Sequence, residues 1–197
     1  MERRNVKNVR IIRHLLERPD GQWTRYGLAK AAGCSRQWVI QLLRKLEPRH
    51  LVNGTKVLDR MALARYGASI SPKPERVADF FIQGPVAFLK ERTSEYAITT
   101  YFGEDRVTHY LFPSRCDAYV TNDQFIGLGR DILGHGLLGR GNLRLIVPAD
   151  PIIIKEARDV KGTRVVALGQ LMIDLVKEGA VCEEAVAEMV RREVRPY

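Results

Sequence analysis

Arg36, Gln37, Gln41, Arg44 and Lys45 fall within a single ten-residue stretch, spaced so that a helix with its apolar side turned inward shows them together. Side chains of these types do one kind of chemistry well. Arginine grips guanine O6 and N7 with two hydrogen bonds, and glutamine does the same at adenine N6 and N7, each pair giving about 1–3 kcal/mol of discrimination. Arg44 and Lys45, with Lys56 and Arg25 elsewhere in the same third of the chain, suit phosphates, which fix register and add affinity without choosing sequence. Ser35 and Trp38 stand at the leading end of the stretch, where Trp38 serves equally as a contact or as a core anchor. The partner these residues point to is double-stranded DNA.

The elements that must position them are legible in the hydrophobic spacing. Val6, Val9, Ile12, Leu15 and Leu16 recur at helical intervals up to Pro19, Asp20 and Gly21, a stop signal. Thr24 predicts the cap of a second helix carrying Leu28, Ala29, Ala31 and Ala32, closed by Gly33. Ser35 predicts the cap of a third, SRQWVIQLLRKLE, whose stripe Val39, Leu42, Leu43 and Leu46 faces the core. Two short helices joined by a glycine-containing turn form a helix-turn-helix. Asn53-Gly54 between His50-Leu51-Val52 and Lys56-Val57-Leu58 then predicts a hairpin. The stretch TRYGLAKAAGCSRQWVIQLLRKLEPRHLV resembles winged helix-turn-helix regulators of bacteria and archaea in its alanine-glycine turn, its capping serine and its leucine-rich third helix.

Charge supports this placement. The 197 residues carry 32 Lys plus Arg against 23 Asp plus Glu, a net +9. Residues 1–70 hold 15 basic against 5 acidic side chains, and residues 71–197 hold 17 against 18, so the excess that favours a polyanion sits wholly in the first third. Three cysteines, Cys34, Cys116 and Cys182, lack any metal or disulfide spacing and suit a reducing, cytoplasmic setting. No apolar run approaches the roughly 18 residues of a membrane span. Pro72 and Pro74 mark a linker over residues 69–75.

Beyond the linker, helical and strand-like segments alternate. Residues 76–92 read as helical with a break at Gly84-Pro85, residues 96–102, 116–121 and 143–147 as strands, and residues 151–154 and 164–167 as two further short strands. Residues 122–138 read as mainly helical, and 168–178 and 183–194 as two closing amphipathic helices. This order, with GNLRLIVPADP followed by VVALGQLMIDLVKEGAVCEEAVAEMV, resembles AbiEi-type antitoxin regulators, which join a winged helix to a nucleotidyltransferase-like domain. The resemblance implies a repressor acting on inverted repeats in a promoter, as monomer or homodimer on DNA, with a cognate toxin or other protein held through residues 76–197.

A nucleotidyltransferase outline raises the alternative of a phosphoryl-transfer enzyme with a nucleic-acid-binding head. Such chemistry needs a Gly-Ser turn and carboxylates grouped around divalent metal. Phe102-Gly103-Glu104-Asp105-Arg106 has no serine after its glycine, and the next strand offers only Asp117, so a catalytically silent domain is expected, with no cofactor and no metal. Gly134-His135-Gly136-Leu137-Leu138-Gly139 matches G-x-G-x-x-G, but a helix precedes it and a strand follows, the reverse of a dinucleotide fingerprint. His14, His50, His109 and His135 are scattered, without ligand spacing. A third possibility is an adaptor whose winged helix binds protein. The expected fold is α+β: a winged helix-turn-helix over residues 1–68, the linker at 69–75, and an α/β domain over 76–197.

Overall fold

Helix starts follow the capping residues. In the computed structural model, which describes residues 2–134, 137–138 and 141–197, the side chains of Thr24, Ser35, Asp59 and Thr121 each accept a hydrogen bond from a first-turn backbone N–H. The elements in chain order begin with α1 (Glu2–Glu17), α2 (Arg25–Ala31), α3 (Arg36–Leu46), β1 (Val52–Asn53), β2 (Lys56–Val57) and α4 (Arg60–Ile70). There follow β3 (Arg76–Phe81), α5 (Pro85–Arg92), β4 (Tyr96–Thr99), α6 (Thr100–Val107), β5 (Cys116–Val120), α7 (Asn122–Leu133) and β6 (Leu137–Leu138). The chain closes with β7 (Leu143–Val147), α8 (Ile152–Lys155), β8 (Arg158–Val160), β9 (Thr163–Val165), α9 (Leu168–Glu178) and α10 (Val181–Arg191). The fold is mixed α+β.

Two compact units divide the chain, the first built from residues up to Pro72 together with Leu168–Pro196, the second from Lys73–Ala167. The division falls at Pro72; α4 runs to Ile70, so residues 69 and 70 of the expected linker are helical. The assignment of residues 168–196 to the second domain is corrected: α9 packs on α1 and α4, and α10 on α9. The reason is burial. Leu168, Leu171, Met172, Ile173 and Leu175 are all at most 1% exposed, far more apolar surface than a helix lying on the outside would hide. Gly169 lets α9 come close, since a Cβ there would lie 2.2 Å from the Arg13 carbonyl oxygen. Arg13, 1% exposed, donates from Nη1 to Gln170 Oε1 at 3.2 Å, and Gln170 Nε2 donates to Asp174 Oδ1 at 2.8 Å. Arg60 donates to the carbonyls of Leu16 and Val194, fastening the end of the chain to the same unit.

The second unit is a seven-stranded mixed sheet in the order β6-β3-β7-β5-β4-β9-β8. Only the β4–β9 and β5–β7 pairs are parallel. One face carries a core of Phe80, Ile98, Cys116, Ala118, Leu143 and Leu145 against Leu89 of α5 and Leu128 and Ile132 of α7. Two expectations change here. Residues 76–81 form a strand paired with β7, with Ala78 and Phe80 turned to the core while Val77 and Phe81 stand 49% and 57% exposed on the other face. Residues 152–155 form a helical turn instead of a strand, started by Asp150, whose carboxylate accepts from the Ile152 N–H at 3.2 Å. The strand expected over 96–102 stops at Thr99, where α6 begins, and the helix expected to reach residue 138 stops at Leu133, with Leu137–Leu138 paired to β3. Of the glycine-rich stretch, His135, Gly136 and Gly139 lie outside the described residues.

Candidate nucleic-acid interface

Ser35 sets the start of α3: its backbone is extended, and its Oγ accepts from the Trp38 N–H at 3.2 Å. From that start the 3.6-residue period puts Val39, Leu42, Leu43 and Leu46 into the core, none more than 3% exposed. Arg36, Gln37, Gln41, Arg44 and Lys45 are left on the outer side, all exposed, as the spacing predicts. Ahead of α3, Gly33 at φ +63° makes the turn from α2 in a left-handed conformation that a side chain would strain. Arg25 is the first residue of α2 and is exposed, beside Tyr26 at 71% exposure.

Lys56, also exposed, lies on β2 of the hairpin that Gly54 closes at φ +58°. The hairpin is pinned at its turn. Thr55 Oγ1 lies 2.8 Å from the Trp23 carbonyl oxygen and 3.2 Å from that of Gly21, while Glu47 Oε1 accepts from the Gly54 N–H. A backbone bridge joins Asp20 to Lys56. These contacts fasten the backbone of Lys56 and its turn to the segment that leads into α2.

Trp38 is half-buried, and its Nε1–H donates to Asn8 Oδ1 at 2.9 Å, with Lys7 Nζ 5.0 Å from the ring centre. It is thus anchored to α1. Asn8 and Lys7 were missed in the sequence, where nothing but their polarity at the start of a helix marks them. Asn8, Trp38, Gln41, Leu42 and Lys45 line a notch of about 130 Å³ between α1 and α3.

Charge is distributed unevenly between the units: 19 Lys or Arg against 11 Asp or Glu in the first, 13 against 12 in the second. Pairing is uneven too. Arg65, Arg92, Arg115, Arg144, Arg191, Arg192 and Arg195 each hold a carboxylate. Among the described residues Arg25, Arg36, Arg44, Lys45 and Lys56 form no ion pair. Like charges left unneutralised on one small surface repel one another, a cost that a polyanion removes.

The carboxylates of the second unit are held differently. Asp117, 1% exposed, lies in the middle of the sheet and takes two hydrogen bonds from Arg115, at 2.5 and 2.8 Å, and one from the Thr100 hydroxyl. Asp79 is gripped by Arg144 across the β3–β7 pair, which keeps its carboxyl below the usual range. Glu104 is buried, and that burial raises its pKa; it accepts from the Leu111 N–H at 2.7 Å and from the Thr108 hydroxyl, fixing the loop before β5. Among the described residues no three His, Cys, Asp or Glu side chains gather closely enough to hold a metal ion. One histidine is less isolated than its spacing suggested: His109 Nδ1 lies 3.2 Å from Asp105 Oδ1, one helical turn earlier, and His109 Nε2 lies 2.6 Å from Lys161 Nζ.

No helix among the described residues is long and apolar enough to cross a membrane. Compared with known proteins, the chain matches no family model, no curated protein and no solved structure.

Proposed function

We propose that the first unit is a winged helix-turn-helix that reads double-stranded DNA, with α3 in the major groove and the β1–β2 hairpin as a wing against the backbone. The observation that carries this is the set of exposed cations on α2, α3 and β2 that hold no carboxylate, in the unit that carries the chain's basic excess. Arg36 and Gln37, in the first turn of α3, are the base readers. Arg25, Arg44, Lys45 and Lys56 meet phosphates. The biological role in this reading is that of a repressor of AbiEi antitoxin type, and the second unit is its platform for a toxin or other protein. Support for a platform comes from Val77, Phe81, Tyr110, Phe112, Ile126 and Leu133, all exposed apolar side chains in that unit. Asp79 and Asp117, each engaged by an arginine, have no part in a reaction on this reading.

Selection of bound duplexes from a random pool, followed by titration of selected and random duplexes over a range of salt, tests the proposal. Arg36→Ala and Gln37→Ala should each relax preference at one position by about 1–3 kcal/mol. Lys56→Ala should weaken all duplexes alike and make the slope of log K against log salt shallower by about 0.9. Equal loss on selected and random duplexes for all three variants would refute the assignment. A footprint with pseudo-twofold symmetry and half-sites about one helical turn apart marks a dimer, and a short asymmetric one a monomer.

A further inference from the structure

Trp38 dictates how the Asn8 amide stands. An indole N–H can only donate, so the atom 2.9 Å from Trp38 Nε1 is the carbonyl oxygen of Asn8, and its NH₂ group is turned away from the ring. Among the described residues that NH₂ has no hydrogen-bonding partner. Asn8 lines the notch between α1 and α3, whose remaining walls are Trp38, Gln41, Leu42 and Lys45. Lys7 Nζ stands 5.0 Å from the centre of the Trp38 ring, adding positive charge beside that wall. No carboxylate lines the notch. Its volume of about 130 Å³ equals about four water molecules, room enough for a tetrahedral oxyanion. A notch lined by two amides and an ammonium group, with no carboxylate, suits an anion.

We propose that this notch is a binding site for a backbone phosphate of the duplex, with Asn8 Nδ2, Gln41 and Lys45 as its donors. The proposal rests on the DNA-reading role of α3 and adds α1 to the contact surface. Gln41 then positions the duplex and does not read a base. Because a phosphate contact fixes register, the notch sets how far α3 slides along the groove before Arg36 and Gln37 meet their bases.

The test uses the full chain and a labelled random-sequence duplex, titrated over a range of sodium chloride, with circular dichroism to confirm that each variant is folded. Asn8→Ala should lower affinity about tenfold, as expected for losing a hydrogen bond to a charged group. Asn8→Asp should lower it further, since a carboxylate would face the phosphate. Lys45→Ala should make the salt slope shallower by about 0.9. Trp38→Phe, which keeps a ring but releases the amide, should behave like Asn8→Ala. Folded Asn8→Ala and Asn8→Asp proteins that bind like the parent would overturn the site while leaving DNA reading by α3 intact. Inorganic phosphate should displace the duplex from the parent more than chloride does at equal ionic strength, and no more than chloride does from Asn8→Asp; phosphate binding by the parent together with duplex affinity unchanged in Asn8→Ala would reassign the notch to the free anion. A parent chain with no salt-dependent duplex binding removes both this proposal and the reading beneath it.

Discussion

Replacing Gly169 by alanine puts the docking of α9 on α1 to a direct test. The added Cβ would sit 2.2 Å from the Arg13 carbonyl oxygen and 2.8 Å from its carbon, both backbone atoms of a helix interior that cannot swing aside. Ordinary contact needs at least 3.4 Å, so α9 must withdraw by about 1 Å along that line, loosening Leu171, Met172 and Leu175 in their packing. Overpacking of this kind costs about 1–3 kcal/mol, and here the upper end is expected because the obstacle is main chain. In urea, with a slope of about 1–3 kcal/mol per molar, the unfolding midpoint of the first unit should fall by about 1 M or more with the slope unchanged. Gly127 supplies the control: it lies within α7, is exposed, and a Cβ there meets nothing within 4 Å, so Gly127→Ala should leave stability unchanged or raise it by up to about 1 kcal/mol. A Gly169→Ala protein as stable as Gly127→Ala would refute the close approach on which the two-ended first unit rests.

Other perturbations follow from the same structure. Burial, aided by the Arg13 guanidinium, pushes His14 down to about 4 from an ordinary 6.5. The unfolded chain therefore takes up that proton first, and the first unit should lose up to about 3 kcal/mol as pH falls from about 6.5 to 4; a His14→Gln protein with an identical pH profile would contradict this. Asp117→Asn leaves Arg115, only 20% exposed, without its carboxylate and should cost the second unit about 3 kcal/mol, of which Arg115→Met in the same chain should restore a part. Thermal unfolding of the single and double variants measures it, and a loss below 1 kcal/mol in the single variant argues against the pair. A chain ending after Ala167 lacks nine buried apolar side chains of α9 and α10 and should leave residues 1–72 open to limited proteolysis; protease resistance equal to the full chain would count against the assignment of α9.

How much of this could be read in advance depends on how local the deciding forces are. Caps and periodicity act within one turn, so Thr24, Ser35 and the Val39-to-Leu46 stripe placed α2 and α3 within a residue of where they lie. Residues 76–81 misled because Val77, Phe80 and Phe81 fit the i, i+3, i+4 spacing of a helix, and only pairing with β7 shows that two of the three face outward. The isoleucine run at 152–154 looks β-branched and extended, yet the Asp150 side chain starts a helical turn. The allegiance of α9 was hidden for a different reason. Its partner Arg13 precedes it by more than 150 residues, and nothing within the helix itself records which unit will bury it. The exposed cations of α3 were legible as soon as its buried stripe was known; the Asn8 amide was not, because its orientation depends on an indole on another helix.

A unit assembled from both flanks of an inserted unit has a consequence for its biogenesis. On the ribosome, α1 to α4 emerge early but wait, with the sides of α1 and α4 that α9 packs on left uncovered, until some hundred further residues have been translated. Any prematurely terminated product thus carries an unfinished head, so whatever this unit does is reserved for polypeptides that have been read through at least to the α9–α10 hairpin.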